Sequence, residues 1–347
     1  MLGINMDKAG IIMDDKFITL AHGAGGLKSR ELVEEVMLPA FNNEYLRQMH
    51  DGAKLHMSNN IAFTTDSYVV QPLFFNGGNI GKLAVCGTVN DLAMTGAVPK
   101  YISVGMIIEE GFAIADLQKI VMTMKVAAAE AGVHIVTGDT KVVNKNKGDG
   151  IFINTAGVGE IIQGCDIAPQ NVKGGMDIIA SGYLGDHAAT IMACRHNLQM
   201  PDTLKSDCAP LNKLVEKLLQ EVPQIAVMRD ATRGGAAAVL NEIAGQASVG
   251  IIIDEDKIPV RKEVNGFCDI LGFEPLYLAN EGKFITFVDK KYTEKALAVM
   301  HQNEYGKDAC VIGETNDEAV NEVGLRTTIG GIRIIDMPAG EQIPRIC

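Results

Sequence analysis

Tryptophan is absent from this 347-residue chain, and aromatic residues make up only 5% of it. That is too few for the stacking platforms on which proteins hold single-stranded nucleic acid. Basic residues are also scarce: 31 Lys and Arg face 43 Asp and Glu, a formal charge of −12. Such a balance disfavours nucleic acid and anionic membrane as partners, so a phosphate bound here needs Mg²⁺ or main-chain N–H groups beside it. The seven cysteines (86, 165, 194, 208, 268, 310 and 347) are odd in number and include no CxxC pair. This argues against a disulfide framework and a Cys-rich zinc site, and for a reducing, cytoplasmic location. Cys194, His196 and Cys208 lack a fourth ligand at finger spacing, and no HExxH occurs. No run approaches the roughly 18 uninterrupted apolar residues of a membrane span, and the acidic N-terminal stretch has no signal-peptide core. Two phosphate signatures are missing as well. No GxGxxG follows a strand, and the nearest approach to GxxxxGK[ST], at 76–83, lacks the leading Gly and the hydroxyl.

What remains is a folded-protein composition, 47% apolar with 37 Gly against 11 Pro, long enough for two domains with separate cores. The fold class is mixed α+β or α/β. Apolar spacing after the glycine-rich 22–26 segment predicts a helix over 27–41. Strands are expected at 61–65, 101–108, 133–137 and 151–158, with helices at 80–94 and 113–131. A turn-rich stretch at 171–175 opens a second cycle: strands at 177–181, 225–228, 249–253, 283–288, 310–313 and 331–335, and helices at 186–196, 211–221, 234–247 and 294–302. The division is therefore 1–41, a glycine-rich loop and helix; 42–170, an N-terminal domain; 171–335, a C-terminal domain; and 336–347, an extended, Pro-punctuated tail ending in Cys347.

Asp66, Asp91, Asp139 and Asp230 each follow an apolar, strand-like run and precede a small-residue turn, the place where rigid scaffolds put ligands. Carboxylates there suit Mg²⁺, which takes a few of them and completes its shell with water and phosphate oxygens. Each also reads as a helix cap or turn former. Asn90, Lys141, Thr232 and Arg233 stand beside them, and Lys141, two residues after Asp139, shares its face on an extended segment. The segment around His22 and Gly25 offers free N–H groups for an anion, or is a plain loop. Glu281, between Asn280 and Gly282 before an apolar strand, is placed for acid or base work or simply for a turn. Cys347 is a mobile nucleophile with Arg345 nearby to favour thiolate, or an accidental exposed thiol. The other cysteines read as core residues, and His187 as a helix cap or a ligand neighbour.

Together these segments resemble the HypE family of hydrogenase maturation proteins, within the PurM-like (AIR synthase-related) ATP-binding superfamily. The motifs run nearly end to end: HGAGG at 22–26, TTDSYVV at 64–70, GTVNDLAMTGA at 87–97, GDTKVV at 138–143, GDHAA at 185–189, MRDATRGG at 228–235, NEGK at 280–283 and PRIC at 344–347. The terminal PRIC is the most specific, and Ala188 departs from the family's usual Gly. The resemblance implies a two-domain PurM-like fold that dimerises by pairing N-terminal sheets, with ATP in a cleft between the domains and a flexible tail. It implies that the carbamoyltransferase HypF loads a carboxamide onto Cys347. ATP then drives dehydration to a thiocyanate, whose cyano group passes to the HypC–HypD complex for the iron of [NiFe] hydrogenase. Carried over, Cys347, Lys141 and Glu281 are catalytic. Asp66, Asp91, Asp139 and Asp230 hold Mg²⁺, and with Asn90, Thr232, Arg233, Asn280, His22 and Gly25 they bind ATP. A PurM-like enzyme acting on a free small molecule, and a non-catalytic ATP-binding scaffold, are the alternatives.

Overall fold

The computed structural model describes residues 15–23, 27–48, 55–58, 60–198, 201, 203–338, 343 and 345–347. Gly25 lies outside them. Helix α1 (Leu27–Leu32) continues through a π-helical turn (Val33–Met37) into α2 (Leu38–Phe41), which together fill the single helix expected over 27–41. Next come strand β1 (Ile61–Tyr68), the short hairpin β2 (Phe74–Phe75) and β3 (Gly78–Asn79), and helix α3 (Ile80–Met94). Strand β4 (Ala97–Glu109), helix α4 (Ile114–Ala131), β5 (His134–Val143) and β6 (Ile151–Ile161) complete the first half. Its sheet has the order β1-β6-β4-β5.

Pleating gives this sheet two unlike faces. Ile102, Val104, Met106 and Ile108 of β4 and Ile151, Ile153 and Thr155 of β6 are buried against the helices. The other face is open and carries Ile61, Phe63 (67% exposed) and Ile107. Helix α4 buries Leu117, Ile120, Val121, Met124 and Ala128 at helical spacing. Helix α3 is buried nearly all round, because the second half covers what the sheet does not.

The second half contains β7 (Met176–Ala180), α5 (Asp186–Arg195), α6 (Asn212–Glu221), β8 (Ile225–Asp230), α7 (Gly235–Ala247), β9 (Gly250–Asp254) and α8 (Lys262–Leu271). It continues with β10 (Phe284–Asp289), α9 (Thr293–His301), β11 (Cys310–Asn316), β12 (Val323–Arg326) and β13 (Ile332–Ile334). Its seven-stranded mixed sheet has the order β13-β12-β9-β11-β7-β10-β8. Alternate residues serve opposite layers: Ile178 packs with α7, and Ile179 with α6 and α9. That is why its inner strands read as continuous apolar runs. Helix α8 and strand β12 had no counterpart in the sequence reading. The cysteines divide: Cys86, Cys208 and Cys268 are core residues, Cys165 and Cys310 only half-buried, and Cys194 is exposed, so the expectation of a core role fails there.

Candidate active site

Two sheet edges and one loop converge at the site. Strand β8 ends at Asp230 directly opposite Phe284, the first residue of β10, so the turn 280–283 and Asp230 share one edge. That turn lies hard against the 207–209 segment: a Cβ on Gly282 would stand 2.0 Å from the Asp207 carbonyl oxygen, so only glycine fits. The Asp207 carboxylate accepts the N–H groups of Glu281 (3.1 Å) and Gly282 (3.2 Å), which fixes the turn, with Lys283 Nζ 3.8 Å away. Gly235 at the start of α7 takes φ +62°, and a Cβ there would meet the Leu276 carbonyl at 2.4 Å. The 230–235 turn is thereby held against residues 276–278.

From the first half, Thr64 on β1 donates its hydroxyl to Asp91 on α3 at 2.9 Å. Asp66, two residues on, therefore points the same way and accepts the Ser67 N–H at 2.7 Å. Burial pushes the Asp91 carboxyl up to about 6, with Asp66 adding to the rise and the Thr64 hydroxyl opposing it. Burial, then the negative charge of Asp91, pushes Asp230 up to about 7. Glu281 is 3% exposed, and its Oε1 has no partner. Burial above all, then Cys208, Asp207, Asp230 and Asp66, holds its carboxyl well above the usual range. Asp66, Asp91, Asp230 and Glu281 thus feel one another.

The end of the chain enters this acidic site. Ile343 and Ile346 are buried in the core. Main-chain N–H groups of Val69 and Gln71 donate to the oxygens of Cys347 (3.0 Å) and Arg345 (3.2 Å), in the sense of an antiparallel pair. Arg195 donates to the Arg345 carbonyl, and the Arg345 guanidinium meets Asp149 at 2.9 Å. Burial pushes the Cys347 thiol well up, Glu281 adds to this, and the neighbouring Arg233 opposes it. The tail end is therefore docked, and the cation beside the thiol is Arg233 where the sequence suggested Arg345.

Other expectations are revised. Asp66 lies in one row with Thr155, Val104 and Gly138, on the helix-facing side of the sheet. Asp139 lies in the next row, with Gly105, Asn154 and Ser67, on the open face, and Lys141 shares that face with Ile107. Strands β1 and β5 are opposite edges, three strand spacings or roughly 14 Å apart. Within one chain, Asp139 and Lys141 are therefore not brought to Asp66, Asp91, Asp230, Glu281 and Cys347. They pair with each other at 3.9 Å, both exposed. Asn90 and Asn280 are braces. Asn90 accepts from Leu211 N–H at 2.8 Å and donates to the carbonyls of Ala209 (3.1 Å) and Glu281 (3.3 Å). Asn280 accepts from Gly185 N–H and donates to Ala231 and Leu278. Their amide donors are directed to the protein. Thr232 is half-buried in the turn before α7, where its carbonyl accepts Gly235 N–H.

His22 is buried, its Nδ1 accepting from Thr19 N–H at 3.1 Å, beside a cavity of about 270 Å³ between α1–α2 and β5. Leu32, Met37, Thr137, Asp139 and Lys141 also line it. Ala188 is fully buried within α5, its N–H bound to the Ala279 carbonyl. Sequence reasoning missed Asp207 and the tail contacts of Arg195; neither stands in a run that marks it, since both act on main-chain groups far away along the chain.

Residues 49–161 match the family described as AIR synthase related protein, N-terminal domain, and residues 173–326 its C-terminal domain. The chain is 48% identical over 336 residues to the carbamoyl dehydratase HypE of Rhodobacter capsulatus, covering 96% of this chain and 99% of that protein. A crystal structure of hydrogenase maturation protein HypE in complex with ATP superposes with a TM-score of 0.92 at 45% identity, over 94% of this chain and 99% of that one. A HypE–HypF complex matches at 0.78 and 51% identity, over 88% and 99%. Docked cysteine, acidic site and two paired domains thus come with near-half identity over almost the whole length, and the chain belongs to the carbamoyl dehydratase HypE family of hydrogenase maturation enzymes.

Proposed function

We propose that this chain converts a carbamoyl group carried on Cys347 into a thiocyanate at the expense of ATP, supplying the cyanide ligand of [NiFe] hydrogenase iron. The observation that carries this reading is the Cys347 thiol docked beside Arg233 and Glu281, with Asp66 acting on both the thiol and Glu281 and Asp230 acting on Glu281. A similar protein solved with ATP supports the nucleotide, and one solved with HypF supports HypF as the donor of the carbamoyl group. HypC–HypD is the proposed acceptor of the cyano group.

A carboxamide oxygen is a poor leaving group. Its attack on the γ-phosphoryl group of ATP expels ADP and, with loss of one nitrogen proton, gives an O-phosphorylated imidate, from which phosphate departs as the nitrogen gives up its second proton. Arg233 stands ready to offset phosphoryl charge, and Glu281, whose carboxylate holds a proton strongly, is the acceptor at nitrogen. Among the described residues no group of three or more His, Cys, Asp or Glu side chains could hold a metal unaided. The neighbouring carboxylates of Asp66, Asp91 and Asp230 nonetheless fit Mg²⁺ carried on phosphate, since that ion keeps most of its shell as water and phosphate oxygen. Bound there, Mg²⁺ would neutralise triphosphate charge.

We assign the cavity beside His22, Asp139 and Lys141 to the nucleotide. The open sheet face with Ile61, Phe63 and Ile107 supports a homodimer that pairs these faces. Asp139 and Lys141 then reach the site at that interface. The test is intact mass spectrometry and C-terminal peptide mapping after incubation with HypF, carbamoyl phosphate and ATP. Wild type gains one carbamoyl group on Cys347 and then loses one water, whereas Cys347→Ala gains nothing. No adduct on wild type with competent HypF overturns the reading, in favour of a free small-molecule substrate.

A further inference from the structure

We propose that His187 is a positioning residue that seats Cys347 against Glu281, by holding the Ile346 carbonyl while its ring is itself held by the short segment that fixes the Glu281 turn. The proposal rests on the reading that dehydration takes place on docked Cys347.

His187 is fully buried on α5, and Phe75 packs edge-on against its ring with centroids 5.6 Å apart. Its Nε2 lies 2.7 Å from the Ile346 carbonyl oxygen and its Nδ1 2.8 Å from Ser206 Oγ. A carbonyl oxygen only accepts, so Nε2 carries the proton. Nδ1 of the neutral ring then accepts from the Ser206 hydroxyl, which itself accepts Cys208 N–H at 3.2 Å. Burial holds the ring below the ordinary imidazole value, in keeping with the neutral form. The chain of donors runs one way: Cys208 N–H, Ser206, His187, Ile346. Asp207, between Ser206 and Cys208, grips the N–H groups of Glu281 and Gly282. Segment 206–208 therefore sets two things at once, the turn that carries the proton acceptor and the residue next to the thiol. The pose it seats is a demanding one, because Arg345 takes φ +55° to turn the tail inward.

Two variants separate the donor from the ring. His187→Leu keeps the bulk and removes the hydrogen bonds; His187→Gln restores an N–H near the Nε2 position. With neither ATP nor HypF present, alkylation of Cys347 by iodoacetamide, read on the C-terminal peptide, should rise about tenfold in His187→Leu and return towards wild type in His187→Gln. With HypF, loading of Cys347 should proceed at least as fast as in wild type. Single-turnover dehydration of the loaded protein should fall about tenfold with unchanged ATP affinity. If His187→Leu does not melt as a folded protein, Ser206→Ala, which removes the hydroxyl donor to Nδ1, carries the same measurements. Equal alkylation of wild type and variant, or a parallel fall of loading and dehydration, overturns the proposal. Absence of loading in wild type would defeat the functional reading alone, because the alkylation contrast needs no reaction.

Discussion

Asn90→Ala distinguishes a brace from a ligand. The side chain is 2% exposed and ties three main-chain groups, Leu211 N–H, Ala209 C=O and Glu281 C=O. Glu281 C=O keeps a second donor in Ala209 N–H at 3.4 Å, so truncation strands chiefly the other two. A buried polar group left unpaired costs roughly 1–3 kcal/mol, which puts the expected loss at about 3 kcal/mol. With no tryptophan in the chain, urea unfolding is best followed by far-ultraviolet circular dichroism alongside tyrosine fluorescence, with ATP affinity measured separately by calorimetry. The loosened 209–211 segment should also slow dehydration, because Glu281 loses a support, while ATP affinity holds. A variant as stable as wild type but defective in ATP binding would refute the argument and return Asn90 to the nucleotide.

Glu281→Gln keeps the shape and removes the proton acceptor; dehydration of preloaded protein should fall at least about 100-fold while thermal stability is kept, since burial already disfavours the charged form of the carboxyl it replaces. An unchanged single-turnover rate would remove Glu281 from the chemistry. Asp254→Asn severs ion pairs to Lys257 (2.7 Å) and Arg326 (2.6 Å), at a cost of about 1 kcal/mol at neutral pH. Lys257 foremost holds the Asp254 carboxyl below its ordinary 3.8. Its contribution is thus complete above that value and lost as pH falls through the lower folded one, so wild type and variant should converge in acid. A difference that persists there would contradict the assignment.

Most elements were legible because their periodicity is strong: α3 and α4 lie within a residue of where apolar spacing puts them. Strand β12 was not, since four residues give too little alternation to register. Helix α8 does carry its signal, Val264, Phe267 and Cys268 on one face, and went unread between two loops. At the site, the types of Asp66, Asp91, Asp230 and Glu281 were visible, but of the three aspartates expected at strand ends only Asp230 closes one: Asp66 lies within β1 and Asp91 within helix α3, while Glu281 precedes β10 as expected. What the sequence could not express was pleat parity between strands. Asp66 and Asp139 sit in equivalent local contexts, and only the register β1-β6-β4-β5 shows that they face opposite ways. Nor could tail composition say that its end docks, because its partners, Val69, Gln71, His187 and Arg195, hold main-chain oxygens and leave no side-chain pattern.

The docked terminus also decides how this site can be inhibited. A group tethered to its own pocket is present at an effective concentration on the order of millimolar for a short link. A free competitor for the space beside Arg233 and Glu281 must therefore outbid a rival that dilution never removes. Compounds that mimic the carried group alone should look weak in any assay on the intact chain. Compounds aimed at the cavity between α1–α2 and β5, which the tail does not enter, face no such rival.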